Sequence, residues 1–95
     1  MISKQGSRLT LCGAMTIPNV NALLDEVAPL FTEPEMEMDL AQVSEVDSTA
    51  VSLLFEWLRL AHTRNAKLFF VNVPKILLSL AALYGVDEIL AQYTH

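Results

Sequence analysis

The sequence contains few of the residues that cross-link a small chain or interrupt its regular structure. Its 95 residues include one cysteine, three glycines and four prolines. Cys12 has no intramolecular disulfide partner, so the fold must be stabilised by its hydrophobic core, which suits a reducing compartment. The low glycine and proline contents exclude fibrous and low-complexity classes. Apolar residues form 53% of the chain and charged residues 18%, which excludes intrinsic disorder.

Long apolar runs are absent as well. The longest nearly apolar stretch, residues 76–86, is interrupted by Ser79 and Gly85 and is well short of the ~20 residues of a membrane span. The N-terminus lacks the apolar run of a signal peptide. We therefore expect one cytoplasmic domain over residues 1–95, with no direct insertion into a membrane.

Basic residues are outnumbered by acidic ones. Six bases against eleven acids give a net charge of −5, so nucleic acid is not an expected partner. Nine acids and no base lie from Asp25 to Glu56, whereas four bases and no acid lie from Trp57 to Lys75. This segregation indicates either an ordinary solvated surface or a dipolar surface that orients a charged partner.

The usual components of an active site are missing from the sequence. The three glycines are too far apart for a phosphate-binding loop. The two histidines, His62 and His95, do not group with Cys12 into a metal site. A buried core thiol is a better interpretation of Cys12 than a nucleophile, because no histidine is near it in sequence. We expect no enzymatic activity, no cofactor and no metal.

The spacing of apolar residues predicts alternating strands and helices. The run Leu68 to Val71 favours a strand covered on both faces, and Gly85 is well placed to end a helix. This order favours a layered α/β domain with a mixed, mainly parallel sheet of about four strands packed with helices. The predicted strands are 8–12, 36–40, 67–73 and an edge strand within 1–6; a connection spans 41–46, and the helices are 17–30, 47–65, 74–84 and 87–93, the last capped by Asp87.

A set of core residues follows from this pattern. Residues on the apolar face of a helix, or in the doubly covered strand, should be buried: Leu54, Leu58, Phe70, Val71 and Leu80. The helix after Pro74 should bury one apolar side made of Ile76, Leu77, Leu80, Leu83 and Tyr84.

The longest predicted helix has a wide apolar arc. At 100° per residue, its polar residues form one contiguous arc of Ser48, Ser52, Glu56, Arg59 and Thr63. The remaining ~220° is mostly apolar, whereas packing on a sheet needs an arc of only ~100° or slightly more. Either neighbouring helices cover the flanks, or one edge, around Trp57 and Leu60 or around Phe55, binds a partner.

Hydroxyl and carboxyl side chains mark the start of this helix. Asp47 or Ser48 can act as the N-cap, because both side chains accept hydrogen bonds from the free N–H groups of a first turn. The hydroxyls of Ser48 and Thr49 then have two interpretations. They cap the helix, or they are exposed beside an N-terminus that tolerates a phosphate group.

The segment from Met38 to Pro74 resembles a STAS domain (sulfate transporter and anti-sigma factor antagonist). In that family a strand ending in an Asp-Leu-Ser-like turn leads to Asp-Ser/Thr at a helix start, and a hydrophobic helix and an apolar strand follow. The matching residues are Asp39-Leu40-Ala41, Val46 to Ala50, and Leu53-Leu54. The family often has Ser at the position of Ala41 and Gly at that of Ala50, and alanine is readily accommodated in a first helical turn.

Within the family, the C-terminal stretch NVPKILLSLAALYGVDEIL is similar to small cytoplasmic STAS subunits of ABC phospholipid transporters of the Mla type. Such subunits bind the transporter ATPase and support its assembly and activity. The resemblance implies that Ser48 lies at that interface and that the chain is peripheral to the inner membrane through the transporter. Together with the polar arc, it gives the expected partner-binding residues: Asp47, Ser48, Thr49, Ser52, Glu56 and Arg59.

The alternative within the same family is an anti-sigma factor antagonist. In that case the partners are an anti-sigma factor and a serine kinase, and Ser48 is the residue that is phosphorylated. Both alternatives are binding modules that use Ser48, so the residues do not separate them.

Overall fold

The computed structural model describes residues 1–94, and His95, the second histidine, lies outside the described residues. The described part forms one four-stranded sheet and four α-helices. In chain order these are β1 (Ile2–Gln5), β2 (Arg8–Met15), a short 3-10 helix (Ile17–Asn19) leading into α1 (Val20–Leu30), β3 (Glu35–Val46), α2 (Thr49–Thr63), β4 (Lys67–Val71), α3 (Lys75–Leu83) and α4 (Asp87–Ala91).

The sheet has the strand order β1-β2-β3-β4. β1 and β2 form an antiparallel hairpin, in which Gly6 adopts the left-handed conformation with φ 61°. β2–β3 and β3–β4 are parallel pairs, which require crossover segments, and α1 and α2 supply them. The predicted mixed, mainly parallel sheet is therefore confirmed, as is the edge strand at the N-terminus.

Two strands are longer than predicted. β2 continues through Gly13 to Met15, and β3 continues to Val46 through the stretch that the sequence predicts to be a connection. The register between them shifts on both sides of Gly13, which has φ 112°. These irregularities let the pairing continue, but the end of β3 is largely exposed and polar, so residues 41–46 have no strand-like burial pattern in the sequence.

The sheet buries one face and leaves the other largely open. Burial alternates along the first half of β3, whereas the second face of β4 is covered at Val71 but not at Lys67, so the prediction that β4 is covered on both faces is only partly correct. Phe69 is only half-buried on the open face, beside Glu37 in register, and Lys67 is exposed. Cys12 is exposed as well, so the expectation of a core thiol is also wrong.

The main core lies between the buried sheet face and the helices. Leu54 and Phe70 are completely buried and Val71 is nearly so, which confirms those predictions. Leu58 and Leu80 are only partly buried, because they pack at the edge of the core rather than within it. That prediction is corrected for both residues.

The boundaries of α3 agree with the predictions, whereas those of α4 differ in two respects. α3 begins directly after Pro74, and Gly85 follows it with φ 72°, as predicted. α4 ends at Ala91, however, and Asp87 is its first residue rather than its cap. Within residues 1–94, no helix has the length and apolar character needed to cross a membrane.

Truncating the central core residues should destabilise the fold. Leu54→Ala and Phe70→Ala should each lower the free energy of unfolding by about 2–5 kcal/mol, because each leaves a cavity in a fully buried region. Leu83→Ala is the matched control and should change the stability by less than ~0.5 kcal/mol, because Leu83 is 75% exposed. Urea denaturation measures all three, and an unchanged midpoint for Leu54→Ala or Phe70→Ala would show that the core is misplaced.

Candidate partner-binding site

The start of α2 is held by the carboxylate of Asp47. Its Oδ2 accepts a hydrogen bond from the Ile17 N–H at 2.9 Å, and its Oδ1 accepts one from the Thr49 N–H at 2.9 Å. Oδ1 also accepts a short hydrogen bond from the Thr49 hydroxyl. The Asp47 N–H donates to the carbonyl of Met15 at 3.3 Å. Asp47 therefore joins the ends of β2 and β3 to the starts of the next helices.

Asp47, rather than Ser48, caps the helix. Ser48 already has helical dihedral angles, φ −61° and ψ −23°, and its side chain makes no capping hydrogen bond. A cap residue accepts from the N–H two or three positions later, and this is the geometry between Asp47 and Thr49. The Thr49 hydroxyl is bonded to Asp47, whereas that of Ser48 is exposed and free for another contact.

The hydrogen bonds keep Asp47 ionised. The Thr49 hydroxyl, followed by the Ile17 N–H, holds the pKa of Asp47 below the usual 3.8. A donor bonded to a carboxylate stabilises its charged form. The start of α2 therefore carries a fixed negative charge at neutral pH, where the helix dipole is favourable to it.

Four of the six predicted binding residues lie along one groove. The groove has a volume of about 560 Å³ and runs between α2 and the turn that connects α3 to α4. Tyr84 and Val86 form the wall opposite α2, and buried Val51 and half-buried Phe55 also line the groove. The predicted residues that line it are Ser48, Thr49, Ser52 and Glu56.

The other two predicted residues have different positions. Asp47 supports the start of α2 through its hydrogen bonds and does not line the groove. Arg59 lines a second groove, of about 290 Å³ between α1 and α2, together with Trp57 and Leu60. Arg59 Nη2 lies 2.6 Å from Oε2 of Glu56, but the pair is exposed and contributes little to stability. The predicted polar arc is thus an exposed ridge between two grooves.

The Asp-Leu-Ala part of the sequence motif lies away from this ridge, within β3. The Ala41 N–H donates to Asp39 Oδ1 at 2.9 Å and Asn72 Nδ2 donates to the same atom at 3.1 Å. These bonds, with a smaller effect of the Arg8 charge 3.6 Å away, hold the pKa of Asp39 below its usual value. Asp39 therefore joins β3 to β2 and to the end of β4, which is a structural role.

Three apolar residues of α3 and the turn that follows it are exposed, although the sequence predicts that they are buried. Ile76, Leu83 and Tyr84 are 60%, 75% and 53% exposed. α3 packs on the core through Leu77 and Ala81, which are completely buried. The prediction is wrong because the apolar face of α3 is wider than the contact that the core makes with it.

The groove has a chemically mixed lining. It offers hydroxyl groups, an apolar lining and one carboxylate. Among residues 1–94, no group of three or more His, Cys, Asp or Glu side chains is arranged to hold a metal ion.

The architecture is that of the STAS fold. The unphosphorylated anti-sigma factor antagonist SpoIIAA superposes with a TM-score of 0.74 and 12% identity, over 100% of this chain and 84% of that one. The overall structure of SLC26A9 matches with a TM-score of 0.75 and 17% identity, over 92% of this chain and 17% of that one. The Mglu crystal structure matches with a TM-score of 0.60 and 22% identity, over 78% of this chain and 19% of that one. At these identities the likeness shows the fold alone.

The family is shown by the sequence itself. A family model described as the MlaB STAS domain matches residues 1–91. The chain therefore belongs to the MlaB-type STAS domain family. No curated protein matches it significantly. The family indicates a regulatory or accessory domain, and no enzymatic family is indicated.

The role of Asp47 makes stability depend on pH in a defined direction. Because its pKa is lowered in the folded state, its ionised form stabilises the fold fully above the usual 3.8, and this contribution disappears as pH falls through the lower folded pKa. Asp47→Asn should therefore be less stable than the wild type at neutral pH, and the difference should shrink below about pH 4.

Urea denaturation of both proteins across this pH range measures the effect. Asp25→Asn, an exposed carboxylate on α1, is the matched control. A difference between wild type and Asp47→Asn that stays constant with pH would contradict this role for the carboxylate.

Proposed function

We propose that the chain is a non-catalytic accessory subunit of an ABC phospholipid transporter that maintains outer-membrane lipid asymmetry. It binds the ATPase subunit on the cytoplasmic side and supports its assembly and activity. It is peripheral to the inner membrane through that contact. The match of residues 1–91 to the MlaB-type family is the observation that carries this proposal.

The geometry at the start of α2 supports a protein partner at that position. The Ser48 hydroxyl is free because Asp47 has taken over the capping role. The groove beside it combines an apolar lining with a rim of hydroxyls and one carboxylate, which is the general composition of a protein interface. The ATPase then contacts Ser48, Thr49, Ser52 and Glu56 in the groove and Arg59 on the ridge.

A second candidate is an anti-sigma factor antagonist regulated by phosphorylation of Ser48. It is favoured by the exposed, unbonded Ser48 hydroxyl and by the likeness of the fold to SpoIIAA, which is itself an anti-sigma factor antagonist. A phosphate on Ser48 would be stabilised by the first-turn N–H groups of α2. It would also be repelled by the neighbouring ionised Asp47. Its partners are an anti-sigma factor and a serine kinase.

A charge at position 48 should separate folding from binding. Ser48→Glu should melt within a few degrees of the wild type, because a carboxylate near a helix N-terminus is favoured by about 0.3–1 kcal/mol. It should lose most of its affinity for the ATPase, because an unpaired charge at a buried interface costs several kcal/mol. Thermal melting and co-purification with the transporter ATPase measure the two effects.

Two variants act as controls for this test. Ser48→Ala should bind like the wild type, or about 1 kcal/mol more weakly if the hydroxyl donates a hydrogen bond to the partner. Ser7→Glu introduces the same charge in the exposed turn between β1 and β2 and should bind normally. If Ser48→Glu binds the ATPase like the wild type, the interface lies elsewhere. If no version binds it, the anti-sigma factor antagonist becomes the better candidate.

The isolated chain should have no catalytic turnover and should bind no nucleotide. The sequence lacks a glycine-rich phosphate loop, which is the usual means of holding a triphosphate closely against the backbone. Calorimetric titration with ATP, on protein freed of any co-purifying ATPase, measures this. Saturable binding would contradict the expectation that the isolated chain binds no nucleotide.

A further inference from the structure

The side of α3 that faces away from the core carries an exposed apolar surface. We call this surface the α3 flank and define it as Ile76, Leu83 and Tyr84. At 100° per residue, Ile76 and Leu83 project within ~20° of each other, and half-buried Leu80 follows at ~40°. Tyr84, at the end of the helix, turns towards α2 and lines the groove beside Ser48. The flank is therefore continuous with the groove.

The α3 flank is not needed to stabilise the fold. Leu77 and Ala81 are the residues by which α3 is buried, and both are completely inaccessible. The flank residues remain more than half exposed, with values of 60%, 75% and 53%. A contiguous apolar surface of this kind on a small domain is characteristic of an interaction site.

The charges around the groove and the flank are mostly acidic. Glu56 lies on the α2 side of the groove, and Asp47 carries its fixed charge at the start of α2. Asp87 and Glu88 follow Val86 directly in the first turn of α4, and both are exposed. The bases close by are Arg59, which is paired with Glu56, and Lys75 at the other end of α3. A complementary partner therefore has an apolar centre with basic residues around it.

We propose that the α3 flank and the groove together bind an amphipathic helix of the partner ATPase. The apolar side of that helix packs on Leu83 and Tyr84, and its Lys or Arg residues face Asp87 and Glu88. A groove that has an apolar lining and lies along a helix can bind such a segment, whose anchors recur every three or four residues. This inference rests on the proposed function and identifies the part of the ATPase that makes the contact.

The test compares two leucines on the same helix. Leu83 belongs to the flank, whereas Leu78, which is 43% exposed, projects from α3 about 140° away from it. Leu83→Ser should weaken binding to the ATPase of an Mla-type transporter from the same organism by about tenfold or more. Leu78→Ser should bind within about twofold of the wild type. Calorimetry measures the affinities, and both variants should melt like the wild type.

A second measurement tests the basic residues of the partner. The affinity of the wild type should fall as the ionic strength rises, and Asp87→Asn with Glu88→Gln should reduce that dependence. An affinity that does not change with salt would overturn the proposal of a basic partner helix.

The remaining outcomes separate this inference from the proposed function. If the wild type binds the ATPase and Leu83→Ser binds equally well, the inference is wrong and the proposed function stands. If the wild type does not bind the ATPase, the proposed function fails and the inference fails with it. If sedimentation shows a dimer that Leu83→Ser disrupts while ATPase binding is unchanged, the flank joins two copies of this chain, which also overturns the inference.

Discussion

The hydrogen bonds of the Asp47 carboxylate are the constraint on which the arrangement of the site depends. They connect the 3-10 helix at Ile17 with the first turn of α2, and the Asp47 backbone is bonded to the end of β2. The same bonds lower the pKa of Asp47 and keep it charged. Because the carboxylate supplies the cap, the neighbouring Ser48 has a helical backbone and an unused hydroxyl.

The one-sided layer of helices explains where the binding surfaces arise. The helices share a single buried sheet face, so α2 is covered on its flanks by α1 and α3 rather than from above. This accounts for the wide apolar arc of α2: Phe55 and Leu60 are half-buried at the two grooves, and Trp57 is completely buried. α3 is short and makes a narrow contact, so its remaining apolar residues stay exposed, and Tyr84 directly after it lines the first groove.

The sequence predicted the features that depend on local periodicity and turn residues. The helix boundary at Pro74, the left-handed Gly85, the polar arc of α2 and the burial of Leu54 and Phe70 are examples, because each follows from the pattern within a few residues. The end of β3 could not be predicted, because its pairing depends on the irregular register around Gly13 in another strand. The sequence offered both Asp47 and Ser48 as caps, and it could not indicate that the other oxygen of Asp47 accepts a hydrogen bond from Ile17, thirty residues away. The exposure of Leu83 and Tyr84 depends on how much core is available to α3, which periodicity does not indicate.

We propose that the α2 groove, and not the open sheet face, contacts the ATPase. Site-specific photo-crosslinking tests it most directly, with the same photoreactive residue placed at position 52 in the groove or at position 10 in β2. Ser52 is exposed and lines the groove. Thr10 lies opposite Asp39 in the sheet and is only partly buried on the open face. We expect a crosslink to the ATPase from position 52 and none from position 10, and the reverse pattern would show that the open sheet face makes the contact.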